Sequence, residues 1–358
     1  MAEKLVTSEG LFTMVEKLLG RAQVTAPREE NGIAVFGPVN SAGQVELDGP
    51  LPVIPEKSVV FPQSETLLRM DLGGEVPKVE AVEPEGEQVI LGVRPCGLQA
   101  FARLDRVFLE GAFVDPQYRR RRDHTLIIAL TCPTVKRSCF CRAFGYGPSD
   151  GSGADLQLTR LPGGSFHLET LTERGGEFVA EMEKEGIAGL TDAGAEAGSA
   201  ARAEKARVER LAERSAAAVS TEGVVEGLDG MYDDPYWAQL AERCISCGIC
   251  TYLCPTCHCF DICEKARGPE AERYRCWDTC LFSNYTLMAG GANPRPTVRE
   301  RLRNRLYHKL NFFNHRYGEF LCVGCGRCVE HCPTNIDIRK VMAKAAARSR
   351  AQGVSVNG

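Results

Sequence analysis

Apolar positions in the first 190 residues recur with two different periods. In SEGLFTMVEKLLG, residues 8 to 20, Leu11, Val15, Leu18 and Leu19 share one face of a 3.6-residue repeat and Ser8 is placed to cap it, which predicts a helix. Short β-rich runs follow: IAVFGPV around residue 35, QVIL ending at Leu91 and TLIIALT ending at Thr131. Between the last two, GLQAFARLDRVFLE predicts a helix with Leu98, Phe101, Leu104 and Phe108 on its apolar face. From Asp155, DLQLTRLPGGSFHLETL alternates apolar and polar residues about a Pro-Gly-Gly turn, the signature of a hairpin. The fold class expected is therefore α+β, with residues 1–190 as a mixed α/β domain. Residues 193–219 are rich in Ala, Glu and Arg and offer little beyond Val208 and Leu211 to bury, so 191–232 is expected to be a solvated helical linker. A cysteine-rich module is expected over 233–345, with a polar tail at 346–358.

Composition narrows the class. The 358 residues suit two domains, and 44% hydrophobic with 25% charged residues is the balance of an ordinary folded protein. A formal net charge of -4 gives no global field toward nucleic acid or an acidic membrane. Seventeen cysteines, an odd number, cannot all pair as disulfides, so metal is the better default. MAEKLVTSEGLF lacks a secretory signal and no apolar run approaches bilayer length, so a reducing cytoplasm is expected, with no membrane partner. No G-x-G-x-x-G follows an expected strand and no P-loop motif occurs; GYGPSDGSG from Gly145 reads only as a flexible loop. With no evident site for hydride chemistry, the chain is expected to work with partner proteins.

The cysteines carry the chemistry. Cys244, Cys247, Cys250 and Cys254 before Pro255, and again Cys322, Cys325, Cys328 and Cys332 before Pro333, spell C-x2-C-x2-C-x3-C-P, the run of bacterial ferredoxins. A thiolate at every third residue lets one loop wrap a cubane, and Gly248 and Gly326 supply the backbone freedom that the wrap needs. Because the fourth cysteine of each run ligates the other cluster, one [4Fe–4S] cluster would use Cys244, Cys247, Cys250 and Cys332, and the second Cys322, Cys325, Cys328 and Cys254. Structural zinc prefers two C-x2-C pairs and fits poorly. Arg327, where the first run has Ile249, would favour electron uptake by the second cluster unless it is a solvated surface arginine.

Nine cysteines remain. Cys96 in VRPCG and Cys132, Cys139 and Cys141 in TCPTVKRSCFC follow two expected strands; they can hold a third [4Fe–4S] cluster or serve as buried structural cysteines. Between the ferredoxin runs lie 67 residues containing Cys257, Cys259, Cys263, Cys276 and Cys280, with His258 nearby. A small zinc or iron site and buried thiols packed beside the clusters are both open there.

FPQSETLL at Phe61, GVRPCGLQA at Gly92, the CFC segment, DPYWAQLAERC at Asp234, CPTCHCFD at Cys254, WDTCLF at Trp277, MAGGANPR at Met288 and CVGCGRC at Cys322 together resemble the β subunit of sulfhydrogenases and the A subunit of anaerobic sulfite reductases, over nearly the whole chain. The family has Asp after the RPC cysteine, where Gly97 stands here. The resemblance implies an iron–sulfur electron-transfer subunit between a flavin-containing, NAD(P)H-linked subunit and a catalytic partner. That partner would be a [NiFe] hydrogenase, a sirohaem sulfite reductase or a heterodisulfide reductase module. It also gives weight to Cys257, Cys259 and Cys280. The late basic stretch RPTVRERLRNRLYHK is read as a docking face or a solvated helix, with nucleic-acid contact as the third option. The competing functions are an iron–sulfur or zinc protein that binds nucleic acid, and a stand-alone ferredoxin-like reductase.

Overall fold

The computed structural model describes residues 2–216 and 219–353. It divides into two compact units, one of residues 1–60 and 84–217, the other of 61–83 and 218–358.

The first unit begins with β1 (Glu3–Val6), α1 (Ser8–Leu19), β2 (Gln23–Glu30) and β3 (Ile33–Pro38). The chain then leaves for the second unit with β4 (Ser64–Asp71) and β5 (Lys78–Ala81). It returns with β6 (Gln88–Val93), α2 (Pro95–Phe108), α3 (Pro116–Asp123), β7 (Thr125–Leu130), β8 (Leu156–Arg160), β9 (Phe166–Thr170), α4 (Glu173–Lys184), β10 (Leu190–Asp192) and α5 (Ala195–Ala216). Among the described residues these strands form an eight-stranded sheet in the order β10-β1-β9-β8-β7-β6-β2-β3. Its centre, β2, β6, β7 and β8, is parallel. Central parallel strands are covered on both faces, which is why QVILGV and TLIIAL are continuous apolar runs. Val89, Leu91, Leu126, Ile128 and Leu130 join Leu11, Met14 and Leu18 of α1 and Phe178, Val179 and Met182 of α4 in one core. The intervening Ile90 and Ile127 are also buried, toward the other face, as the two-residue strand period requires.

The predicted helices and the β8–β9 hairpin form, with local corrections. Thr7, not Ser8, caps α1, its side chain accepting from the Gly10 N–H at 3.0 Å. The presumed linker is α5, a 22-residue helix that belongs to the first unit. Ala201, Val208 and Ala212 are buried, and Lys205 pairs with Glu169 on β9. Its sparse apolar positions lie on one face, so small residues bring it close to the sheet.

The second unit holds α6 (Val224–Asp229), α7 (Tyr236–Ala241), α8 (Ile249–Tyr252), β11 (Phe260–Arg267), β12 (Glu270–Trp277), α9 (Val298–Tyr307), α10 (Phe313–Tyr317), α11 (Arg327–Glu330) and α12 (Ile338–Ala351). The long insertion between the ferredoxin runs thus contains a hairpin, β11–β12, followed by α9 and α10, and the hairpin pairs with the excursion from the N-terminal half in a sheet of order β11-β12-β4-β5. Phe61 stacks on Trp277 at 5.9 Å, and Arg275 on β12 pairs with Glu65 on β4, both almost fully buried. The family motif at Phe61 therefore belongs to this unit rather than to a continuous domain 1–190. The expected tail at 346–358 also starts later: α12 continues to Ala351 and buries Ala346 and Ser349, and 354–358 lie outside the described residues.

Candidate metal centres

The two ferredoxin runs fold as copies of each other. Ser246 and Gly324, one residue before the second cysteine, have φ of 54° and 59°, and Gly248 and Gly326, one after it, both have φ of 77°. These left-handed turns open the single-turn helices α8 and α11, which carry the third cysteines, Cys250 and Cys328. Each run closes with Cys-Pro-Thr, and the threonine hydroxyl approaches the fourth sulfur, Thr256 to Cys254 at 3.3 Å and Thr334 to Cys332 at 3.5 Å. The Ile336 N–H also donates to the Cys332 sulfur at 3.2 Å.

The fourth cysteines have different surroundings. One cavity is lined by Cys244, Cys247, Cys250 and Cys332, with Cys328 also on its wall and Leu281, Leu302 and Ile338 as apolar sides. Cys254 bears electrostatically on Cys322, Cys325 and Cys328, and on Cys250 as well. Burial pushes the Cys322 thiol up to about 12 and shifts Cys325 and Cys328 upward too, so this set becomes thiolate only with cations to bind. Arg305 lines the first cavity, is 5% exposed, and its buried Nε has no hydrogen-bond partner. An anionic thiolate-bound cubane answers that cation, so the donor set and its surroundings fit the group. Among the described residues no three His, Cys, Asp or Glu side chains gather closely enough to hold a single metal ion.

The basic stretch is neither a solvated helix nor an open docking face. α9, a π-helical turn at His308–Phe312 and α10 follow one another directly, and Arg301, Arg303, Arg305 and Lys309 are buried. Arg301 donates to the carbonyls of Leu281, Arg295 and Pro296, at 2.9, 3.1 and 2.8 Å. Arg303 donates to the Tyr232 carbonyl and lies 3.7 Å from the centre of its ring. Arg305 holds the Cys250 carbonyl at 2.8 Å, and Lys309 donates to Thr256 Oγ1 at 2.5 Å. Burial alone would discharge Arg305 and Lys309, but the cysteines around them, Cys250 foremost for Arg305 and Cys254 for Lys309, keep both charged. Arg327 is likewise buried, beside Cys325, so the surface alternative for it falls. Arg305 and Lys309 are the functional residues that the cysteine motifs do not reveal. Their signal in the sequence is the four-residue spacing Arg301, Arg305, Lys309.

The insertion places its cysteines in two groups. Cys263 and Cys276 face each other across β11 and β12 with sulfurs 3.9 Å apart, part-buried. Cys257, Cys259 and Cys280 lie at the base of the hairpin, where Cys257 hydrogen-bonds Cys254 and Cys259 hydrogen-bonds Cys280. The expectation of thiols packed beside the ferredoxin loops describes this second group.

In the first unit, Cys96 opens α2 after β6, and Cys132 follows β7, so both stand at the carboxyl ends of adjacent parallel strands. Cys132 and Cys139 bear on Cys141, whose burial pushes it up to about 12. The buried Arg94, its own pKa lowered by burial, faces Cys132 and Cys96. The Gly145 loop is tied down rather than loose: Cys132 N–H donates to the Pro148 carbonyl at 2.9 Å, and Ser149 N–H donates to Glu209 of α5 at 3.1 Å. A side chain at Gly97 would strike the buried Glu56 carboxylate, whose Oε1 lies 1.6 Å from the position a Cβ would take. An acidic group thus occupies the space beside Cys96 although residue 97 is glycine.

Among the described residues, no helix is long and apolar enough to cross a membrane. Residues 243–336 match the 4Fe-4S dicluster domain, which assigns two [4Fe–4S] clusters to the unit containing both runs. The chain is 33% identical over 327 residues to sulfhydrogenase 2 subunit beta of Pyrococcus furiosus, across 91% of this chain and 92% of that one. With the paired cluster loops and likeness over almost its full length, the chain belongs to the sulfhydrogenase β-subunit family and is an iron–sulfur electron-transfer subunit.

Proposed function

We propose that this chain relays single electrons between a flavin-containing, NAD(P)H-linked subunit and the catalytic subunit of a cytoplasmic hydrogenase complex. The observation that carries the reading is the pair of matching cysteine loops with buried Arg305 and Lys309 beside them. Cys244, Cys247, Cys250 and Cys332 hold one cluster, and Cys322, Cys325, Cys328 and Cys254 the other. Each cluster supplies a one-electron couple. The protein supplies apolar walls, fixed donors and compensating positive charge, which set how readily an electron is accepted. The hydrogenase is favoured over sulfite reductase or heterodisulfide reductase because the relative's own name is that of a hydrogenase subunit.

Cys96, Cys132, Cys139 and Cys141 we assign to a third [4Fe–4S] cluster, on the strength of Cys96 and Cys132 bearing on Arg94 at adjacent strand ends and of Cys132 and Cys139 bearing on Cys141. Anaerobic purification from the native host tests both assignments. A flavoprotein and a [NiFe] subunit are expected to accompany the chain, with about twelve irons per polypeptide in it. A sulfite reductase or heterodisulfide reductase partner would overturn the first assignment, and about eight irons the second.

A further inference from the structure

We propose that Cys259 and Cys280 are a redox-active dithiol, which closes to a disulfide on reacting with a small organic disulfide and is reopened by electrons that the chain carries. The proposal rests on the electron-transfer reading above and adds a two-electron thiol site to it.

The geometry is that of a prepared pair. Phe260 and Trp277 form the last register pair at the base of the β11–β12 hairpin, and the Asp278 N–H donates to the Cys259 carbonyl at 3.0 Å just beyond it. Cys280 follows two residues later and is clamped on both sides. Thr251 of α8 donates to Thr279 Oγ1 at 2.6 Å, and Arg301 donates to the Leu281 carbonyl at 2.9 Å. The two thiols act on each other electrostatically, each being the first influence on the other's proton affinity. Cys259 is half-buried and Cys280 only 6% exposed. The Cys280 thiol, then the Cys280 backbone N–H and after it the Tyr285 hydroxyl, hold Cys259 down to about 6 against the opposing effect of burial, whereas Cys280 is pushed up by Cys259 and by burial. Cys259 is therefore the nucleophile at neutral pH and Cys280 the proton-bearing partner.

The pair also adjoins the electron path. Cys280 bears on Cys257, Cys257 hydrogen-bonds Cys254, and the buried Lys309 ammonium acts on Cys254, Cys257 and Cys259 together. The Cys263–Cys276 pair has no such link; its charged neighbours are carboxylates of the hairpin and its rim.

The chemistry balances. The Cys259 thiolate attacks one sulfur of R–S–S–R, forming Cys259–S–S–R and releasing RS⁻. Cys280 then attacks the Cys259 sulfur, closing the protein disulfide and releasing the second RS⁻, and its proton leaves with the thiol product. Two electrons, delivered one at a time by the chain's electron-transfer activity, and two protons restore both thiols. The sum is R–S–S–R + 2e⁻ + 2H⁺ → 2 R–SH.

The test uses the anaerobic, cluster-loaded protein treated with hydroxyethyl disulfide, freed of reagent and titrated with dithionite. Treated protein is expected to take up about two electrons more than untreated protein, with a Cys259–Cys280 cross-link in its peptide map. Cys259→Ser should abolish the extra uptake, Cys280→Ser should trap hydroxyethanethiol on Cys259, and Cys263→Ser should change neither. Equal uptake before and after treatment, or extra electrons that survive in Cys259→Ser, would overturn the proposal. If a variant fails to load clusters, the peptide map of the treated native protein decides: both thiols unmodified refutes it. Iron content and the reduced-cluster resonance are read on the same samples, so intact clusters without extra electrons sink the dithiol alone, and missing clusters sink the electron-transfer reading.

Discussion

Arg305 carries a positive charge into a cavity walled by thiols and lacks a partner for its Nε, so its charge is spent on whatever those thiols bind. Removing it makes the uptake of an electron less favourable. Arg305→Met is expected to lower the potential of at least one cluster by tens of millivolts, about 59 mV being a tenfold change for one electron. Arg327→Leu should lower the cluster served by Cys325 and leave the other in place. A redox titration followed by low-temperature paramagnetic resonance checks both, and potentials that stay still or rise would refute the role. Cys259 gives a second test in which pH is the variable. Because the Cys280 thiol stabilises its thiolate, alkylation of Cys259 should quicken as pH rises through about 6 and level off above it. In Cys280→Ala, which removes the donor, the inflection should move up toward the ordinary thiol value of about 8.5. An unchanged profile would mean that Cys280 does not govern Cys259.

Strands and helices that bury one clear stripe were legible in advance, as α1, α2 and the β8–β9 hairpin show. Elements whose partners lie far off in sequence were not. SETLLRMD alternates plausibly, but nothing local says that it pairs with EAERYRCW some two hundred residues later, where Glu65 meets Arg275. Likewise α5 has the composition of a solvated helix, and only the sheet beneath it turns Ala201, Val208 and Ala212 into a packing face. The basic helix misled for the opposite reason: arginines usually face water, and these face the carbonyls of loops that must be held open around clusters. The excursion of β4 and β5 into the second unit can be tested through its ion pair. Glu65→Ala removes the carboxylate partner of the buried Arg275 guanidinium, which costs about 3–5 kcal/mol. The loss should register as a lower denaturation midpoint for the cluster-bearing unit, followed by bleaching of its absorption. Unaltered cluster stability would show that the pairing contributes nothing there.

The chain as a whole joins an α/β unit, with Cys96 and Cys132 at the carboxyl ends of adjacent parallel strands, to a unit in which paired ferredoxin loops are walled in by a basic helix and braced by strands from both halves of the sequence. The dicluster domain was legible because a ligand loop must be local: three thiols reach one cubane only at short, fixed spacing. The counter-charges and the thiol pair were less so, since long-range folding brings them to the loops. The crossed ligation proposed above would tie the two cubanes together, so that electrons placed on both sense each other. The most direct test is paramagnetic resonance of the anaerobic protein during stepwise reduction. Spectra that broaden and split as the second electron enters, and that revert to a simple form in Cys332→Ser and Cys254→Ser, are the predicted result. Two independent, unsplit signals at full reduction, or a colourless protein with no signal, would contradict it.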